Sequence, residues 1–139
     1  MAGTSSNRWW TLTLELPADV EVFGGPDKWH DPAVYCLVLE RPDDVADVWD
    51  RQFDHRAPWF EEFRDASAVW YVGAAADCLS RLEDHRDGEV RTTVLTEVCA
   101  IDSLRNVWWF EDADRAFERE SGIAVELQNH YPSVYVHSR

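Results

Sequence analysis

Residues 33–40, "AVYCLVLE", constrain the fold of this chain more than any other stretch. The run is almost continuously apolar and rich in strand-forming side chains, with no polar residue in alternation. A strand of that kind is buried on both faces, so 33–40 reads as a central strand. A second run, "AVWYVG" at 68–73, reads as the next strand. Residues 9–16, "WWTLTLEL", alternate instead, with Trp10, Leu12, Leu14 and Leu16 against Thr11, Thr13 and Glu15. That is a half-buried strand. Pro17-Ala18-Asp19 turns it toward a short partner, "VEVF", and Gly24-Gly25-Pro26 opens a loop that reaches Pro32.

The segments between and after these strands carry helical spacing. Pro42-Asp43-Asp44 precedes Val45, Val48, Trp49 and Phe53 on one stripe, and Pro58 opens a second short helix with Trp59, Phe60 and Phe63 inward. Asp77 caps a helix that runs to His85 and buries Leu79 and Leu82. Val90, Val94, Leu95 and Val98 predict a helix within 90–100, and "LRNVWWF" at 104–110 predicts a strand. Asp112 caps a long helix with Ala113, Ala116, Phe117, Ile123 and Leu127 on its apolar side, and "SVYVH" forms a last edge strand. The order predicts a single α+β domain over residues 1–139, a small and mostly antiparallel sheet flanked by helices.

Charge bounds the function. The chain has 27 Asp and Glu against 13 Lys and Arg, a net charge of −14, and Lys28 is its one lysine. Such a surface repels polyanions in dilute salt, because affinity for a phosphate backbone comes from Lys and Arg. An acidic, lysine-poor surface is also what a molar-salt cytoplasm favours, and there the Debye length is about 3 Å. A nucleic-acid partner is therefore not excluded by charge. Cys36, Cys78 and Cys99 are odd in number, lie in apolar company and lack C-x-x-C spacing, so they read as buried free thiols. The start "MAGTSSNRWW" lacks the basic-then-apolar pattern of a signal peptide. The longest uncharged run, Ala66–Ala76, is far short of the roughly 18 apolar residues that span a bilayer. The expectation is a cytoplasmic protein with no membrane partner.

Chemistry-bearing residues fall at the ends of these elements. Tyr35 lies in the first central strand, Tyr71 and Gly73 in the next, Arg81 and His85 one turn apart on the following helix, and Glu120 on the helix after a third strand. Taken singly, each has an ordinary reading. Arg81 has Asp77 and Asp84 within helical reach for ion pairs, His85 is a surface histidine, Glu120 a solvated acid, and the tyrosines core aromatics. Trp9-Trp10 and Trp108-Trp109 read as structural pairs, one ring of each pointing into the core. His30, His55, His130 and His137 show no ligand spacing and carry no assigned role.

Taken together, the set resembles the GIY-YIG nuclease family. Ala33-Val34-Tyr35 and Tyr71-Val72-Gly73 stand where that family has its two tripeptides, with Ala33 in place of the first glycine. Arg81 follows Gly73 by eight residues, His85 is one turn on, and Ala116 precedes Glu120 as in the family's metal-binding helix. The resemblance covers about 33–130. It leaves 42–66 as a two-helix insertion, since 36 positions separate the tyrosines, and 8–24 as an N-terminal strand extension.

The resemblance implies a Mg²⁺- or Mn²⁺-dependent endonuclease that hydrolyses DNA phosphodiesters with one metal, RNA being a further possible substrate. Tyr35, with a pKa lowered by a neighbouring guanidinium, would activate water beside Tyr71. Arg81 would hold phosphate oxygens with its planar fork. His85 would carry a proton. Glu120 would supply a carboxylate to the metal. Gly73 would let the backbone approach the substrate, and Asn129 would contact phosphate. The alternative is a catalytically inactive GIY-YIG-like module that binds nucleic acid or protein. The insertion, acidic and carrying a Trp and Phe stripe, is expected to pack that stripe on the sheet or on a second copy in a homodimer.

Overall fold

A computed structural model of the chain describes residues 21–23, 30–87 and 94–138, the first three by backbone alone. The predicted strand at 9–16 and Trp9-Trp10 lie outside these residues. The described elements run β1 (Glu21–Phe23), β2 (Ala33–Glu40), α1 (Val45–Gln52), α2 (Phe60–Asp65), β3 (Ala68–Ala75), α3 (Cys78–Arg86), α4 (Leu95–Val98), β4 (Ala100–Trp109), α5 (Ala113–His130) and β5 (Val134–Ser138). The fold is α+β.

The strands form one sheet in the order β1-β4-β2-β3-β5. β2 is central, antiparallel to both β3 and β4, as its uninterrupted apolar run requires. The outer strands run parallel to their neighbours, β1 to β4 and β5 to β3. The sheet is thus mixed, antiparallel at its centre and parallel at both margins.

Alternation along β2 and β3 sorts the side chains into two cores. Ala33, Tyr35, Leu37, Leu39, Val69, Tyr71 and Ala75 face one way, and α1, α2, α3 and α4 cover them with Val45, Trp49, Phe60, Phe63, Cys78, Leu82 and Leu95. Val34, Cys36, Val72 and Ala74 face the other way, under the Ala116–Ile123–Ala124–Leu127 stripe of α5. Register shifts between β2 and β4 bring both Leu104 and Val107 to the first face, although three positions separate them. Trp109 belongs to the first core and Trp108 packs against the second, as adjacent strand positions must.

The insertion packs on the sheet through its aromatic stripe. Trp49 meets Phe53, Trp59 and Phe60 with ring centroids 4.9–5.6 Å apart. Arg41, at the end of β2, donates to the carbonyls of Phe63 and Ala66 and so ties the second insertion helix to the strand it leaves. The three cysteines are free and buried.

Two helix expectations change. The apolar positions within 90–100 form a helix only over Leu95–Val98, because the chain enters β4 at Ala100; Val90 lies outside the described residues. Phe117, expected on the apolar side of α5, is exposed. It sits between Ala116 and Glu120 in sequence but off the stripe that meets the sheet. Among the described residues, no helix is long and apolar enough to cross a membrane.

Candidate functional site

Tyr35 and Gly73 are direct cross-strand partners, and Tyr71 lies two residues before Gly73 on the same side of β3. After β3 the chain turns at Ala76–Asp77, and the Asp77 carboxylate accepts the Ser80 amide hydrogen to start α3. Cys78, Leu82 and His85 then fall on the stripe of α3 that faces the sheet. This stripe lays the His85 ring against both tyrosines. Its Nε2 is 2.8 Å from the Tyr35 hydroxyl, and the His85 ring meets Tyr35 and Tyr71 edge-on at 5.5 and 5.9 Å.

Burial decides the protonation states. His85 is 4 % exposed, and burial, reinforced by the Arg81 charge, lowers its pKa to about 4. Burial and the neighbouring Tyr71 push the Tyr35 phenol above the usual tyrosine range; the Arg81 charge and hydrogen bond pull it down but do not win. The expected lowering of the Tyr35 pKa is therefore reversed, since losing water outweighs one nearby cation. Near neutrality the pair is a neutral phenol and a neutral imidazole. With the phenol donating to Nε2, the ring proton resides on Nδ1, which is buried and has no hydrogen-bond partner among the described residues.

Gly73 is required by close approach. A Cβ built there would stand 2.5 Å from the Tyr35 hydroxyl oxygen and 2.6 Å from Cζ. The phenol lies over the glycine backbone, and a fully buried ring has no open direction in which to yield. Gly73→Ala is expected to destabilise the protein by about 1–3 kcal/mol, the usual penalty for overpacking. Urea unfolding checks it, and a loss below about 0.5 kcal/mol, the scatter of neutral surface changes, would mean that Tyr35 is not held in place.

Arg81, one turn before His85, is partly buried and lies beside Tyr35 rather than in an ion pair with Asp77 or Asp84. It also lines an open cavity of about 310 Å³ at the end of β3, together with Ala74, Asp77, Ser80, Asp84 and Phe117. α3 and α5, which cover opposite faces of the sheet, both reach this cavity.

The structure thus gathers Tyr35, Tyr71, Gly73, Arg81 and His85. It places Glu120 differently. Glu120 is buried in the sheet-facing stripe of α5, the layer on the other side of the sheet from the two tyrosines and His85. Asn129 is exposed near the end of α5. It stands twelve residues beyond Phe117, about 18 Å along the helix axis from the cavity, so it does not join the group. Among the described residues, no group of three or more His, Cys, Asp or Glu side chains could hold a metal ion. The phenols, imidazole and guanidinium around Tyr35 include no carboxylate, so a divalent cation does not fit at that cluster.

Two histidines without an assigned role sit close by. His137 of β5 is the cross-strand partner of Tyr71 and stacks on its ring at 6.4 Å. His30 holds the Asp77 carboxylate through Nδ1 at 2.9 and 3.0 Å. Sequence spacing carries neither signal, because one contact depends on a parallel strand pairing and the other spans 47 residues. No protein-family model, curated protein or solved structure matches the chain.

Proposed function

We propose that this chain is a phosphodiester-cleaving nuclease domain acting on DNA. The observation that carries the reading is the meeting of Tyr35, Tyr71 and Gly73 from two strands with Arg81 and His85 from one helix, through a hydrogen bond that joins residues 50 apart in sequence. Arg81 offers a planar, permanently charged fork to the phosphoryl oxygens at the cavity. Behind it, the neutral Tyr35–His85 hydrogen bond ties the helix that carries Arg81 to the central strand of the sheet. Acidic net charge is no obstacle in molar salt, where long-range repulsion of DNA is screened.

The test is nicking of branched, single-stranded and duplex DNA in KCl on the order of 1–2 M, where the Debye length is about 3 Å or less, with Mg²⁺ or Mn²⁺. Arg81→Ala is expected to lower the rate by about 10²–10³-fold, as loss of a charge-stabilising donor does elsewhere. Equal rates for wild type and Arg81→Ala would remove the reading. Glu120→Ala, run alongside, tells whether the carboxylate across the sheet takes any part.

A second reading, an inactive nucleic-acid-binding module, is favoured by one observation: Tyr35 and Tyr71 are each 0 % exposed. It predicts Arg81-dependent DNA binding with no cleavage by wild type.

A further inference from the structure

Phe117 is a large apolar side chain left in water. It is 44 % exposed, although Ala116 before it and Glu120 after it are buried. Val125 and Tyr131 are the other exposed large apolar residues among those described, and neither lines the Arg81 cavity. Phe117 does. A lone exposed ring is ordinary on a protein surface. A ring that shares a cavity with a guanidinium is a different matter.

The lining of that cavity limits what can enter. Arg81 reaches it from α3 and Phe117 from α5, two helices that cover opposite faces of the sheet, and the small side chains of Ala74, Ala75 and Ala76 leave the space between them. Asp77 and Asp84 add two carboxylates. One guanidinium beside two carboxylates accommodates one anionic group, because a second phosphate would meet the acids. The rest of a ligand must be uncharged, and against Phe117 it must present an apolar surface. A nucleobase answers to this: it is flat and neutral, with a π face to stack and N–H groups that a carboxylate accepts. At about 310 Å³ the cavity is at the small end of ligand pockets, the scale of one nucleotide rather than a run of stacked bases.

We infer that the Arg81 cavity takes a single unpaired nucleotide, its phosphate on Arg81 and its base stacked on Phe117. This rests on the phosphodiester reading above and adds the substrate class. In a duplex both faces of a base are covered by its neighbours, so a base reaches Phe117 only from a single strand or after leaving the stack. Every base has a π face, so the stack favours unpaired over paired nucleotides without selecting a sequence. Phe117 binds substrate and takes no part in breaking bonds.

The experiment measures fluorescence anisotropy of a labelled short oligothymidylate, a sugar–phosphate oligomer of the same length without bases, and a duplex. It uses the KCl of the nicking test with EDTA in place of metal, and compares wild type, Phe117→Ala, Phe117→Leu, Phe117→Tyr and Arg81→Ala. Phe117→Ala is expected to weaken oligothymidylate binding by about 5- to 150-fold, the worth of one base–aromatic stack, and to leave the other two unchanged. Phe117→Leu is expected to lose as much, and Phe117→Tyr to keep wild-type affinity. Arg81→Ala is expected to weaken binding with or without bases. Wild-type affinity in Phe117→Ala, with Arg81→Ala weakened, would overturn the inference and leave the phosphodiester reading standing. The same loss on the oligomer without bases, or full affinity in Phe117→Leu, would overturn it too, since a base or a ring is then not required. If wild type binds none of the three, the inference is overturned, and the nicking test decides the phosphodiester reading by itself.

Discussion

Phe63→Ala is expected to destabilise the protein by about 3–5 kcal/mol, the range for deleting a fully buried phenylalanine. Phe63 is 0 % exposed and sits where the insertion meets the sheet. Its ring lies 5.9–6.2 Å from those of Trp49, Trp59, Phe60 and Tyr135. Those neighbours come from both insertion helices and from β5, so no single element can move to fill the void. A loss of this size is a large part of the 5–15 kcal/mol that typically separates folded from unfolded chains. It corresponds to a fall in melting temperature of about 6–20 °C for a domain of this length. Phe53→Ala, which removes a partly buried ring from the rim of the same cluster, is expected to lose less than half as much. Calorimetry or urea unfolding of both variants checks the pair. Equal small losses would mean that the insertion is not part of the core.

The second large effect is a dependence of stability on pH that comes from His85. In the unfolded chain its imidazole titrates near 6.5, and in the folded protein burial beside Arg81 holds it at about 4. Between those values the unfolded chain binds a proton that the folded protein refuses. The contribution is complete above pH 6.5, falls as pH drops toward 4, and changes no further below it. The gap is worth about 3 kcal/mol. His137, which burial also holds low, acts in the same direction, so the comparison is between wild type and His85→Gln with His137 present in both. Urea midpoints measured from pH 7 to 4 are expected to fall more steeply in wild type. Parallel slopes would place His85 in contact with water.

Much of this architecture is legible in the linear order of residues because it depends on local rules. The unbroken apolar run of β2 demands the centre of a sheet, Asp77 and Asp112 announce helix starts with side chains that accept amide hydrogens three residues on, and the Trp49–Phe63 stripe has the period of buried helices. Position in the chain is a poorer guide where tertiary geometry decides. Val90 to Val98 have helical spacing, yet strand pairing with β2 claims the chain from Ala100. Phe117 has the composition of a core residue but falls on the turn of α5 that overhangs the cavity.

The site divides in the same way. Arg81 and His85 share a helix face by simple periodicity, and Gly73 opposite Tyr35 follows from antiparallel register. The direction of the Tyr35 pKa depends on how much water surrounds it, which no spacing rule contains. The side of the sheet on which α5 lands separates Glu120 from the tyrosines, and that is set by how the chain crosses over after β4. The His30–Asp77 contact depends on a loop folding back across 47 positions.

The parallel outer strands have a consequence for how this molecule behaves in a crowded solution. A sheet is most prone to stick to its neighbours along an unpaired rim of amide and carbonyl groups. Here β4 and β3, the ladders that flank Tyr35, are each capped by a further strand, β1 on one margin and β5 on the other. Among the described residues, the backbone beside the tyrosines, Val107 of β4 and Tyr71 of β3, therefore has a strand paired on its outer side. Substitutions that loosen either margin would expose it, and self-association through those inner ladders would be the first symptom.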